Sequence, residues 1–128
     1  MKKRYQQIAT PNAPAAIGPY SQAILANGVL YCSGQIAIDP ETGQMLHGTI
    51  EEETERVLEN LGAVLRAAGM DYTNVVRCTV YLISMEDYAQ MNEVYARYFS
   101  ERPPAREAVQ VVALPRGARV EISCIAVQ

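Results

Sequence analysis

Arg106 is the side chain that most invites a chemical reading. It stands in the run RPPAREAVQV, from Arg102 to Val111. Pro103 and Pro104 halt whatever precedes them. Ala105, Ala108, Val109, Val111 and Val112 then follow with strand-like apolar spacing. Two readings of Arg106 stand: an edge-strand charge that discourages aggregation, or a fixed cation awaiting an anion. Few other side chains offer chemistry. The single histidine, His47, sits beside Gly48 in a predicted loop and reads as solvated. It would be the sole base for a serine or cysteine nucleophile, so no triad is expected. Cys32, Cys78 and Cys124 are odd in number, widely spaced and lack a C-x-x-C pattern. That argues against a disulfide framework or a zinc site and for packing within strands. Glu51, Glu52, Glu53 and Glu55 form an acidic run. At adjacent positions they point around a helix rather than to one face, which suits capping and solvation better than metal binding.

The elements that must position these residues follow from periodicity. A short strand is predicted around Arg4 to Ile8, and TPNAPAAIGP is a loop. YSQAILANGVLYCSGQIAI holds two strands joined at Asn27-Gly28, because both residues tolerate the positive φ of a two-residue hairpin turn. DPETGQ is a further turn. A helix starts at Thr49, with Glu52 completing a capping box. It carries the stripe Ile50, Val57, Leu58, Leu61, Val64, Leu65 and Ala68, and stops at Gly69. VVRCTVYLI, from Val75 to Ile83, is a strand. Ser84 caps a second helix through about Phe99, whose buried stripe is Tyr88, Met91, Tyr95 and Tyr98 or Phe99. Strands over Arg106–Ala113 and Arg119–Val127 are joined by LPRGA and expected to form a hairpin. The order gives an α+β domain with two helices packed on one face of a mainly antiparallel sheet.

Alternation in the last strand places Val120, Ile122, Cys124 and Ala126 toward the helices. It leaves Arg119, Glu121, Ser123, Ile125 and Val127 on the other face. The preceding strand likewise carries apolar residues on both faces. A sheet with helices on one side only would leave the second side wet, so a homo-oligomer is expected to cover it.

The chain has 128 residues, 49% of them hydrophobic and 20% charged, with a net charge of −3. That fits one domain over residues 1–128. The acidic balance lacks the footprint of a nucleic-acid binder. No 18-residue apolar run exists, so no membrane span is expected. The start, MKKRYQQIATPN, is basic at Lys2, Lys3 and Arg4 but has no apolar core after them, so it is no secretory signal. Cysteine usage points to a reducing, cytoplasmic setting.

Taken as an ordered set, NAPAAIGPYSQA (Asn12–Ala23), SGQI (Ser33–Ile36), PAR followed by Ala-Val-x-Val (Pro104–Val111) and VEISCIAV (Val120–Val127) resemble the Rid family. These are the reactive-intermediate enamine/imine deaminases of the RidA type, formerly called the YjgF family. The resemblance covers nearly the whole chain, including MNEVYARYF. It implies a chorismate-mutase-like α+β fold, three subunits packing their sheets into a central barrel, and sites in the clefts between subunits. It implies hydrolysis of 2-enamino or 2-imino acids, such as 2-aminoacrylate or 2-iminopropanoate, to 2-keto acids and ammonia, with no cofactor and no metal. Carried onto this chain, the substrate-carboxylate arginine is Arg106. The pocket residues are Tyr20, Ser33, Gly34, Asn92 and Glu121. A guanidinium grips a carboxylate through two parallel hydrogen bonds, and Pro104 stiffens its approach. Glu121 is the candidate to hold the attacking water. Tyr20 and the Ser33–Gly34 backbone are placed to orient substrate. Bland readings remain beside these roles: Glu121 as a solvated carboxylate, Tyr20 as a packed aromatic, Ser33 and Gly34 as a turn.

Spacing adds an expectation. If the last two strands form a hairpin turning near Arg116, Arg106 and Glu121 lie on the order of 15 Å apart along the ladder, at roughly 3.3 Å per residue. One small acid cannot span that, so Glu121 would come from a neighbouring subunit. Two positions depart from the family pattern. Ser123 stands where a second glutamate is frequent, and Glu107 where a small residue or cysteine is usual. Alternation points Glu107 away from Arg106; a bulge would instead let the two pair. Two other functions compete: the translation-inhibitor or endoribonuclease activity with which relatives have been labelled, and a non-catalytic sensor of small carboxylic metabolites.

Overall fold

A computed structural model of the chain describes residues 4–128. The basic start at Lys2 and Lys3 lies outside them. The elements are β1 (Tyr5–Ile8), β2 (Ala23–Ala26), β3 (Val29–Gln35), α1 (Ile50–Ala67), β4 (Val75–Leu82), α2 (Tyr88–Tyr98), β5 (Ala105–Gln110) and β6 (Val120–Val127).

Local chemistry sets several boundaries. Asn27 and Gly28 have φ of 51° and 77°, as a tight turn between β2 and β3 demands. The Thr49 hydroxyl accepts from the Glu52 N–H at 3.1 Å while the Glu52 carboxylate accepts from the Thr49 N–H at 2.9 Å, so the capping box forms. The apolar stripe of α1 is buried from Ile50 to Leu65, with Ala68 only partly covered. In α2 the buried set is Met91, Val94 and Tyr95, continued by Phe99 rather than Tyr98. The Ser84 hydroxyl accepts from the Glu86 N–H, capping the short 3-10 turn that leads into α2.

The strands form one six-stranded sheet in the order β1-β2-β3-β6-β4-β5. Neighbours are antiparallel except β4 and β5, which run parallel. The core lies between one sheet face and the two helices. Val120, Ile122, Cys124 and Ala126 fill its centre, as alternation predicts.

The expected hairpin between the last two strands does not form. β5 pairs with β4 at the sheet edge, and β6 is inserted between β3 and β4. The reason is burial. β6 carries an unbroken apolar set on its helix face and belongs where both of its edges find partners. β5 offers Arg106, Ala108 and Gln110 to the helix side, one apolar residue among three, and an edge tolerates that. The strand also ends at Gln110, short of the expected Ala113. With α2 as the crossover, β4 and β5 become a parallel pair, which a hairpin signal read from LPRGA cannot reveal. That segment instead makes a 3-10 turn with Arg116 at φ 58°.

The second sheet face is uncovered. Tyr31 and Val109 on it are 50% and 41% exposed, alongside Ile125 and Val127. Arg77 and Glu107 form an ion pair on this face. Glu107 therefore points away from Arg106, and the departure from the family pattern leaves the arginine's charge intact.

Candidate active site

Arg106 is paired in register with Cys78 of β4, whose side chain is fully buried in the core, so its own side chain rises on the helix face. There α2 receives it. Arg106 Nη1 donates to Asn92 Oδ1 at 2.6 Å, and Nη2 donates to the Tyr88 hydroxyl at 2.8 Å. The guanidinium also lies over the Tyr95 ring, 4.8 Å from its centroid, and 5.5 Å from that of Tyr88. Tyr88, Asn92 and Tyr95 fall at positions i, i+4 and i+7 of one helix, so a single face of α2 builds the clamp. Two of five guanidinium N–H groups are spoken for, and three remain for a ligand. The arginine is thus stiff, partly desolvated and still open.

Glu121 stands in β6 opposite Tyr81, on the uncovered face. A cavity of about 360 Å³ opens beside it, walled by Tyr20, Ser33, Gly34, Ile36 and Pro115. The register between β3 and β6 shifts between Cys32 and Gln35, a bulge that re-aims Ser33 and Gly34. At Gly34 a Cβ would run into the Glu121 carboxylate, 2.8 Å from its Cδ, so only glycine lets that side chain cross the strand. Burial raises the Glu121 pKa above the ordinary carboxylate value. The Ser33 hydroxyl donates to the Ser21 carbonyl at 2.6 Å. The Tyr20 hydroxyl accepts from the Ile17 N–H at 3.3 Å, which leaves its own proton unspent.

The residues read from sequence therefore sort into two groups. Arg106 and Asn92 meet on the helix face at the sheet edge. Tyr20, Ser33, Gly34 and Glu121 meet in the cavity on the other face. Arg106 is in register with residue 78 of β4 and Glu121 with residue 81. That offset and two strand spacings separate their Cα positions by on the order of 14 Å, at ~3.3 Å per residue and ~4.8 Å per strand. The separation expected from a hairpin survives the loss of the hairpin, but its cause is different: the two side chains lie on opposite faces of one sheet.

Three contributors escaped the sequence reading. Tyr88 and Tyr95 fell on the apolar stripe of α2 and were assigned to packing; their i+4 and i+7 relation to Asn92 was the available signal. Gln22 lies inside the YSQA motif but carried no role. Its side chain is buried and bonds Thr10 N–H at 2.7 Å and the carbonyls of Thr10, Ala13 and Pro14, pinning the loop that walls the cavity. Among the described residues, no three His, Cys, Asp or Glu side chains gather as a metal would require.

Fold and site define a class: a small α+β chain with a preorganised arginine on one sheet face and a half-buried carboxylate beside a cavity on the other. The family model described as Endoribonuclease L-PSP matches residues 10–128. The mouse 2-iminobutanoate/2-iminopropanoate deaminase is 54% identical over 121 residues, covering 94% of this chain and 90% of that protein. A Yersinia pestis structure described as of the conserved Rid protein family superposes with a TM-score of 0.95 at 48% identity, covering 97% and 99% of the two chains. The structure of RidA from an Antarctic Psychrobacter gives 0.93 at 45% identity, covering 96% and 99%. The chain belongs to this family, as a Rid protein of the RidA type.

Proposed function

We propose that this chain hydrolyses 2-enamino and 2-imino acids to 2-keto acids and ammonia, as a 2-iminobutanoate/2-iminopropanoate deaminase. The observation that carries the proposal is Arg106, preorganised by Asn92, Tyr88 and Tyr95 yet left with free donors. Such a cation suits the carboxylate of a small acid. The imine carbon is already electrophilic, so the protein need only position it and move protons, and no cofactor is called for. Water adds its oxygen to the C=N carbon and its proton reaches nitrogen, giving a carbinolamine. That intermediate collapses to C=O and expels ammonia. An enamine first takes a proton at carbon to become the imine. Glu121, with its raised pKa, suits taking the proton from water and returning it to the leaving nitrogen. Tyr20 and the Ser33–Gly34 backbone orient the substrate.

Because Arg106 and Glu121 lie on opposite faces of one sheet, the site is completed by a second copy. The uncovered apolar face supports three copies packing their sheets into a barrel, each contributing residues 1–128 as a single domain. This sets Arg106 of one copy against Glu121 of the next. Cysteine usage supports a reducing, cytoplasmic setting, and no helix among the described residues is long and apolar enough to cross a membrane. The net charge of −3 weighs against RNA as substrate, despite the name of the family model.

The test is to generate 2-aminoacrylate in situ and follow keto-acid release with the wild type and Arg106→Ala. Acceleration by the wild type, reduced on the order of 10²-fold or more in the variant, is the expected outcome for loss of a paired charge. Binding of the keto acid without any acceleration would make the protein a sensor instead.

A further inference from the structure

The Tyr88 hydroxyl occupies an unusual position in the arginine clamp. Its oxygen accepts from Arg106 Nη2 at 2.8 Å. Asn92, whose Oδ1 accepts from Arg106 Nη1, lies one turn along α2 from the same phenol. Arg106 thus bridges Asn92 and Tyr88, and the Tyr88 oxygen serves as an acceptor in that cluster. A phenol has one proton to give. With its oxygen accepting from Arg106, the Tyr88 hydroxyl keeps that proton to donate, beside the guanidinium N–H groups left for a ligand. The residue is half-buried at the start of α2, so the hydroxyl is reachable from the edge of β5. The Asn92 contact and the Arg106 charge both lower its pKa, as expected for a phenol that receives donors.

We infer that Tyr88 is a substrate-binding residue that donates its hydroxyl proton to the carboxylate held by Arg106. The carboxylate has more acceptor sites than a two-pronged guanidinium grip fills. A third donor at its rim satisfies another lone pair and fixes the tilt of the carboxylate plane. It adds selectivity for an acid over the corresponding amide, because an amide presents an N–H pair where the second oxygen would be. Tyr95, the other ring on the arginine, cannot serve this way. Its hydroxyl is buried beside the Cys78 thiol, away from the opening.

The inference rests on the deaminase reading, and the experiment separates the two. Wild type, Tyr88→Phe and Arg106→Ala are compared for steady-state hydrolysis of 2-iminopropanoate generated in situ. Inhibition by pyruvate and by pyruvamide is measured in parallel. Tyr88→Phe keeps the ring over the guanidinium and removes only the hydroxyl. The expected result is a KM raised about 5- to 30-fold with kcat within about two-fold, as for loss of one hydrogen bond to a charged group. Pyruvate inhibition weakens by the same factor and pyruvamide inhibition stays unchanged. Wild-type activity that is abolished by Arg106→Ala but keeps its KM in Tyr88→Phe would overturn the inference and leave the deaminase reading standing. Equal weakening of pyruvate and pyruvamide would also overturn it, since the hydroxyl would then act only by steadying the arginine. A wild type without hydrolysis would sink the deaminase reading itself, and pyruvate binding by Tyr88→Phe would still test the hydroxyl.

Discussion

The proposed chemistry rests on two ionisable side chains, Arg106 and Glu121, in different surroundings. Arg106 is held in place by two acceptors and by the ring of Tyr95. Glu121 is pressed toward its neutral form by burial. The second effect has a pH signature. A carboxyl whose folded pKa is raised binds its proton more tightly in the native state. Its contribution is therefore fully present below the ordinary value of 4.5 and is lost as pH rises through the higher folded value. Urea denaturation across that window is expected to show the wild type losing stability with rising pH relative to Glu121→Gln. Parallel curves for the two proteins would mean that the carboxylate is solvated after all. The Arg106→Ala kinetics and the Tyr88→Phe split between KM and kcat belong to this same scale, since each removes one group from one contact.

At the scale of elements, the site depends on where strands bend and which helix face looks down on the edge. The bulge at Ser33–Gly34 brings β3 close enough to β6 for the Glu121 side chain to cross over Gly34. Gly34→Ala places a methyl where the carboxylate lies. The carboxylate is the end of a flexible side chain, so it moves and the fold persists. The expected outcome is a kcat lowered about 10²-fold, the cost of misplacing a catalytic group by about 1 Å. Thermal unfolding would change little. Unchanged kcat would mean that Glu121 does not act from its present position. Nearby, the buried Glu53 of α1 holds Arg119 at 3.0 Å, and Arg119 Nη2 reaches the Gly48 carbonyl at 2.7 Å. The acidic run is therefore not wholly a solvated cap. One of its members ties α1 to the start of the strand that bears Glu121.

At the scale of the whole molecule, the uncovered sheet face and the divided site ask for the same partner. Co-assembly of Arg106→Ala chains with Glu121→Gln chains is expected to restore part of the activity that each homomer lacks. Some interfaces in the mixture pair an intact arginine with an intact glutamate. Absence of any recovery in mixed assemblies of normal size would show that each chain works alone. Small apolar patches are ordinary on a monomer. Here Tyr31, Ile125, Val109 and Val127 share one face with Glu121, and an interface there would bury the Glu121 carboxylate further.

By itself the sequence determined the helices and their caps, the β2–β3 turn, the faces of β6 and, through its ordered motifs, the family. Those features are local, or repeat with a fixed period, and a linear reading captures them. The tertiary structure alone decided which strands are neighbours. LPRGA reads as a hairpin, yet the apolar β6 takes the centre of the sheet and β5 its edge, because pairing is settled by total burial and not by the connecting turn. It alone divided the candidate site residues between two faces. It alone turned Tyr88 and Tyr95 from packing into a clamp, since an aromatic at helical spacing looks the same in sequence whether it meets a leucine or an arginine.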